Sequence, residues 1–88
     1  MPKPNDIQPL NVIARAPFQL YYEGPAKVVS AINPVGPFDI LPGHADFFSV
    51  LVPCEVIIEP VEGEIIKIDI STGIVTAQEN DVNLFVNM

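Results

Sequence analysis

Glu64-Ile65-Ile66-Lys67-Ile68-Asp69-Ile70-Ser71 lies inside the longest proline-free stretch of the chain, Val61 to Met88. By length alone that stretch could hold a helix, but the spacing of its apolar residues speaks against one. Ile66, Ile68 and Ile70 alternate with Lys67, Asp69 and Ser71. A period of two sends every second side chain to the same face of a strand, whereas a helix repeats every ~3.6 residues. The same alternation returns where Val82, Leu84 and Val86 are interleaved with the polar Asn83 and, beyond them, Asn87. Both segments read as strands with one buried face.

Working outward, prolines dominate the rest. Ten of them stand at positions 2, 4, 9, 17, 25, 34, 37, 42, 53 and 60. Each removes a backbone donor and blocks a helix interior, so the pieces between Pro9 and Pro60 are too short for a stable helix. Val and Ile supply 22 of the 88 residues, and their branched side chains suit a pleated surface. Strands are expected near 10–15, 18–23, 26–33, 37–41, 47–52, 55–59, 64–71, 73–78 and 82–87. Glu62-Gly63 and Asn80-Asp81 are expected to turn the chain between neighbouring strands. Many short strands with regular turn signals predict an all-β fold, an antiparallel β-sandwich of about ten short strands. Residues 1–9, polar and proline-rich, are expected to form a flexible N-terminal arm, and 10–88 one domain.

The chain carries 4 Lys+Arg against 11 Asp+Glu, a formal net charge of −7. That balance argues against nucleic acid and against an anionic membrane face, both of which require clustered basic residues. A single cysteine cannot form an internal disulfide, which points to a reducing compartment. No apolar run reaches the ~18 residues that a membrane span needs, and MPKPNDIQPL lacks a signal-peptide core. The expectation is a soluble domain without direct membrane insertion.

Catalysis requires converging reactive groups, and few are present. His44 is the only histidine and Cys54 the only thiol. A Cys–His pair is conceivable, but no third group to orient it is suggested. Two N/S ligands fall short of a zinc site. Gly36 and Gly43 are not followed by a helix that would receive a phosphate. Glu55, Glu59, Glu62, Glu64 and Asp69 fall along strands that need a solvated face. No catalytic residue, cofactor or metal site is therefore expected.

Gly36-Pro37-Phe38-Asp39-Ile40-Leu41-Pro42-Gly43-His44-Ala45 stands out, because two apolar residues run into a Pro-Gly turn that presents the histidine. Phe38-x-Ile40-Leu41-Pro42-Gly43-His44-Ala45 after a glycine resembles the signature of the N-terminal domain of the F-type ATP synthase epsilon subunit (delta in mitochondria). Upstream, Leu10-x-Val12 and Leu20-Tyr21-Tyr22-Glu23-Gly24-Pro25-Ala26-Lys27-Val28 match the family's first strands. Downstream, Ser71-Thr72-Gly73-Ile74-Val75 and Asp81-Val82-Asn83-Leu84 match its later turn and final strand. The landmarks keep the family's order and spacing from about residue 10 to 87. There are four departures: Pro37 stands where an acidic residue is common, Asp39 replaces glycine, Asp46 replaces proline, and Cys54 follows Pro53 where glycine is usual.

The resemblance implies a β-sandwich at the foot of a rotating central stalk. It would be held by the gamma subunit on one face and would meet the membrane c-ring at one end, without chemistry of its own. The implied location is peripheral, on the cytoplasmic side of an energy-coupling membrane. The c-ring-facing residues are expected in the 33–44 segment: Asn33, Val35, Gly36, Pro37, Phe38 and His44. The gamma-facing surface is expected on the sheet face opposite the core, as an exposed apolar patch. The family's C-terminal helical hairpin has no counterpart within these 88 residues. The alternative is a stand-alone β-sandwich binding another protein or a small ligand, which a concave pocket lined by Tyr22, Phe38, Phe47 and Phe48 would favour.

Overall fold

The computed structural model describes residues 8–43 and 46–88. Among them are eight strands and no helix: β1 (Leu10–Ala16), β2 (Gln19–Asn33), β3 (Gly36–Ile40), β4 (Phe47–Leu51), β5 (Cys54–Pro60), β6 (Ile66–Ile70), β7 (Gly73–Gln78) and β8 (Asp81–Val86). They form one curled mixed sheet in the order β4-β7-β8-β1-β2-β5-β6, with β3 also paired to β2. The all-β expectation holds, with three corrections: the strands number eight rather than about ten, they are not all antiparallel, and they share one continuous sheet.

The strand count falls mainly because Gly24-Pro25, expected to separate two strands, lies within the 15-residue β2. Its first half pairs with β1, from Ala16↔Gln19 to Leu10↔Ala26. Its second half pairs with β5 along one edge and with β3 along the other. Pro25 has no N–H to give, and the missing donor does no harm where the strand changes partners. A bulge between Ala26 and Val28 in the β5 ladder shifts the alternation, so the buried positions run Ala26, Val29, Ala31.

The parallel pair joins the two ends of the domain, with β1 beside β8 from Asn11↔Asp81 to Arg15↔Phe85. Tight turns force antiparallel pairing only between strands adjacent in sequence, and β1 and β8 are free of that constraint.

The core follows the period of two. Leu10, Val12 and Ala14 of β1, Val56 and Ile58 of β5, Ile68 and Ile70 of β6, Val75 and Ala77 of β7, and Val82, Leu84 and Val86 of β8 are all buried. Curling lets the inner side chains of the first and last strands meet those of β5 and β6 in a single cluster. No buried polar or charged residue interrupts it among the described residues. The Cα trace is 18 Å across in its thinnest direction, about what two packed β layers require.

Of the expected arm, residues 1–7 lie outside the described part. The Gln8 carbonyl accepts a hydrogen bond from Asn80 Nδ2 at 3.2 Å. Asp39 and Cys54, which stand where the family has glycine, sit in ordinary extended backbone: Glu79 and Asn87 are the described non-glycine residues with positive φ.

Candidate partner-binding surfaces

The β2–β3 hairpin closes with Asn33 opposite Gly36, leaving Pro34 and Val35 at the tip. Pro34 holds φ near −65°, so the primed turns that suit most two-residue hairpins are closed to it. The side chain of Asn33 holds the tip instead. Its Oδ1 accepts from the backbone N–H of Val35 at 2.9 Å and of Gly36 at 3.1 Å. Its Nδ2 donates to Ser49 Oγ of β4 at 3.2 Å. Val35 stands 96% exposed on this braced turn. Pro37 is exposed beside it, whereas Phe38 is half-buried and packs edge-on against Phe47, with ring centroids 5.9 Å apart.

The structure therefore brings Asn33, Val35, Gly36 and Pro37 together at one tip and turns Phe38 into the footing beneath it. His44 lies outside the described residues. Gly43, just before it, follows the far end of β3, a strand of five residues that spans roughly 16 Å at the usual rise. There its N–H donates to Asn80 Oδ1 at 3.0 Å. Of the expected 33–44 segment, the described residues thus run from the hairpin tip to the Gly43 contact with Asn80.

A second surface lies on the outer face of the sheet. Paired residues share a face, so the ladders can be read across the strands. Val50 of β4 is opposite Ile74 of β7, Ile74 opposite Phe85 of β8, Phe85 beside Arg15 of β1, and Arg15 opposite Leu20 of β2. This row crosses five strands. Val50, Phe85 and Leu20 are exposed in it, and Phe18, Phe48 and Met88 are exposed hydrophobics in the same strands and the connections at their ends. Phe18, at the β1–β2 turn, is fully exposed. An apolar face of this extent on the side away from the core marks an interaction surface.

The signal for this face was present in the sequence as apolar residues in the wrong phase. Ile13 sits between Val12 and Ala14, Phe85 between Leu84 and Val86, and Phe47-Phe48 run on consecutively. Strands that are apolar in both phases are covered on both faces.

The chemistry-bearing residues are not gathered into a site. Cys54 is half-buried at the start of β5, and its pairing with His44 falls outside the described residues. Among the described residues no three His, Cys, Asp or Glu side chains are grouped as metal ligands would be. The four aromatics of the alternative reading do not line one pocket, since Phe47 packs inward and its neighbour Phe48 points outward.

The family described as ATP synthase, Delta/Epsilon chain, beta-sandwich domain matches residues 10–88. The ATP synthase epsilon chains of Clostridium perfringens strains SM101 and 13 are each 33% identical over 76 residues, covering 86% of this chain and 57% of theirs. The chain thus spans little more than half the length of these curated relatives. Two solved structures share its fold. A chain of the Euglena gracilis mitochondrial ATP synthase (OSCP/F1/c-ring) superposes with a TM-score of 0.83 at 16% identity, covering 92% of this chain and 52% of that one. A chain of the Tetrahymena thermophila mitochondrial ATP synthase central stalk and c-ring gives a TM-score of 0.74 at 20% identity, covering 91% and 64%. With a family match running from the first strand to the last residue, and with the strands in place to carry it, this chain belongs to the β-sandwich domain family of ATP synthase delta/epsilon chains.

Proposed function

We propose that this domain is a non-catalytic element of the central stalk of an F-type ATP synthase, gripping the gamma subunit with one surface and the c-ring with another. The observation that carries this reading is the apolar row Val50–Ile74–Phe85–Arg15–Leu20 on a domain of this family. A freely soluble domain gains nothing from such a face, whereas a subunit clamped against a partner requires one. The curated relatives are ATP synthase epsilon chains, and the structural neighbours come from assemblies described by their stalk and ring, which supports the same role. In this reading the curled sheet is the family's two-layer sandwich, with β2 as the corner strand common to both layers.

The ring-facing contact falls to the hairpin tip: Asn33, Val35, Gly36 and Pro37, braced by Phe38. A tip locked by proline and by the Asn33 side chain is ordered before it binds, which lowers the entropy lost on docking. The proposed contact rests on these residues and not on His44, which lies outside the described residues. No described helix is long and apolar enough to cross a membrane, and the proposed place is peripheral, beside the membrane on the side of the catalytic head.

Co-purification tests the reading. The tagged chain should bring down gamma and the ring from cells that express the complex. Val35→Asp should weaken the ring contact and leave gamma bound, whereas Phe85→Asp should release gamma. Failure of the unaltered chain to associate with gamma would overturn the proposal.

A further inference from the structure

Arg15 lies near the middle of the outer apolar row, flanked by Phe85 on one side and Leu20 on the other. Its guanidinium carbon is 4.8 Å from the centroid of the Phe85 ring, stacked over its face. Among the described residues no carboxylate forms an ion pair with it. Glu23, the nearest acidic residue along the paired strand, lines the same surface hollow without closing one. The chain has only 4 basic residues against 11 acidic ones, and it places one of the four within this exposed apolar row. Two shallow hollows of about 360 Å³ each open on either side of the side chain. One is bounded by Ala16, Pro17, Phe85 and Met88, the other by Ile13, Phe18 and Leu20 together with the polar Gln19 and Glu23.

We propose that Arg15 is the anchoring and specificity-determining contact of this face, receiving a carboxylate side chain of the docked gamma subunit while an apolar side chain fills the hollow beside Phe85 and Met88. The inference rests on the stalk reading above and adds to it the chemistry that the partner must present. Arginine is suited to the task. Its planar fork matches a carboxylate with two parallel hydrogen bonds, and stacking on a ring holds the fork in place before binding. Phe85, Leu20 and Phe18 flank Arg15, so a partner docked over them would exclude water around the pair, the setting in which arginine becomes a dominant contact. Free polyanions are poor candidates for the same place, because a chain of net charge −7 repels them.

The test is binding of this chain to immobilised gamma subunit from the same organism, with Arg15→Ala, Arg15→Lys and Arg15→Glu compared with the unaltered chain. Arg15 is exposed, so all three variants should keep the parent's melting temperature to within a few degrees. Arg15→Ala should weaken binding about 30-fold or more, the loss expected at a central arginine anchor. Arg15→Lys should fall between the parent and Arg15→Ala, and Arg15→Glu should be the weakest. Binding by all three within twofold of the parent would overturn the inference and leave the stalk reading standing. Failure of the parent itself to bind gamma would overturn both.

Discussion

The hydroxyl of Tyr22 donates a 2.6 Å hydrogen bond to the carbonyl oxygen of Pro25, and its ring crosses Gly24 on the way. A Cβ at position 24 would meet the hydroxyl oxygen at 3.1 Å, on a backbone with φ of +156°. The tyrosine thus straps β2 where it passes from β1 to β5. The Pro25 carbonyl also accepts from the N–H of Val61 at 3.3 Å, so the same atom ties down the end of β5. Gly24→Ala should destabilise the domain by about 1–3 kcal/mol, as a side chain in a sparsely populated conformation does. Tyr22→Phe should lose about 0.5–1.5 kcal/mol, the net worth of one hydrogen bond. The two sites touch, so in a Tyr22→Ala background the loss from Gly24→Ala should be smaller. Urea unfolding of the parent, Gly24→Ala, Tyr22→Ala and the double variant measures the coupling.

Asn87 secures the end of β8 to the β6–β7 turn. Its Oδ1 accepts from Ser71 N–H at 2.8 Å and from Ser71 Oγ at 3.2 Å, and its Nδ2 donates to the Asp69 carbonyl at 3.3 Å. Its own N–H donates to the Thr72 carbonyl at 2.8 Å. It makes these contacts with φ of 53°, a conformation that asparagine tolerates better than most residues. Asn87→Ala should therefore lose both the bonds and the backbone tolerance, about 2–3 kcal/mol together. Asn87→Gly keeps the tolerance and should lose less than Asn87→Ala. The reverse order in thermal unfolding would show that the backbone conformation is not what asparagine is needed for.

Glu79 and Asn80 form the two-residue turn between β7 and β8, and Glu79 has φ of 57°. A left-handed glutamate costs about 1–2 kcal/mol, while glycine gives back about 0.5–1 kcal/mol through the unfolded chain. Glu79→Gly should thus raise stability by roughly 0.5–1 kcal/mol. Asn80→Ala should act in the opposite direction, because its side chain holds Gly43 N–H and the Gln8 carbonyl. Chemical denaturation of both variants should show the opposite signs.

Glu55 of β5 is directly opposite Asp69 of β6, with both side chains exposed. Like charges in that position are unfavourable. Glu55→Lys should stabilise the domain by about 0.3–1 kcal/mol at low ionic strength. The gain should shrink in 1 M salt, where screening reaches within about 3 Å. An equal gain at both ionic strengths would locate the effect somewhere other than charge.

The alternation in Ile66–Ile70 and Val82–Val86 was enough to identify β6 and β8 to within a residue or two, because facing is a property of each backbone unit and its neighbours. Gly24-Pro25 misled for an equally local reason. In isolation the pair favours a turn, and only the β1 and β5 ladders on either side, with the Tyr22 strap, hold it extended. The sequence points to Asn80-Asp81, one residue beyond the observed Glu79-Asn80 turn, because glutamate at position 79 carries no left-handed preference to announce it. At the hairpin tip, Pro34, Val35 and Gly36 fall between the strands expected at 26–33 and 37–41, whereas the bracing by the Asn33 side chain is visible only in the fold. That Phe38 turns inward onto Phe47 was not legible either, since β4 lies in a different stretch of sequence.

An all-β chain with these buried positions follows from prolines that withhold donors and from a two-residue period, both short-range properties of the polymer. The partner-binding face needed the folded molecule. Its row sets Phe85, 70 residues away in sequence, beside Arg15 through the parallel pairing of β1 with β8, while the β1–β2 hairpin brings Leu20 to the other side. Hydrogen bonding between strands with no turn to connect them set that order, and no run of neighbouring residues encodes it.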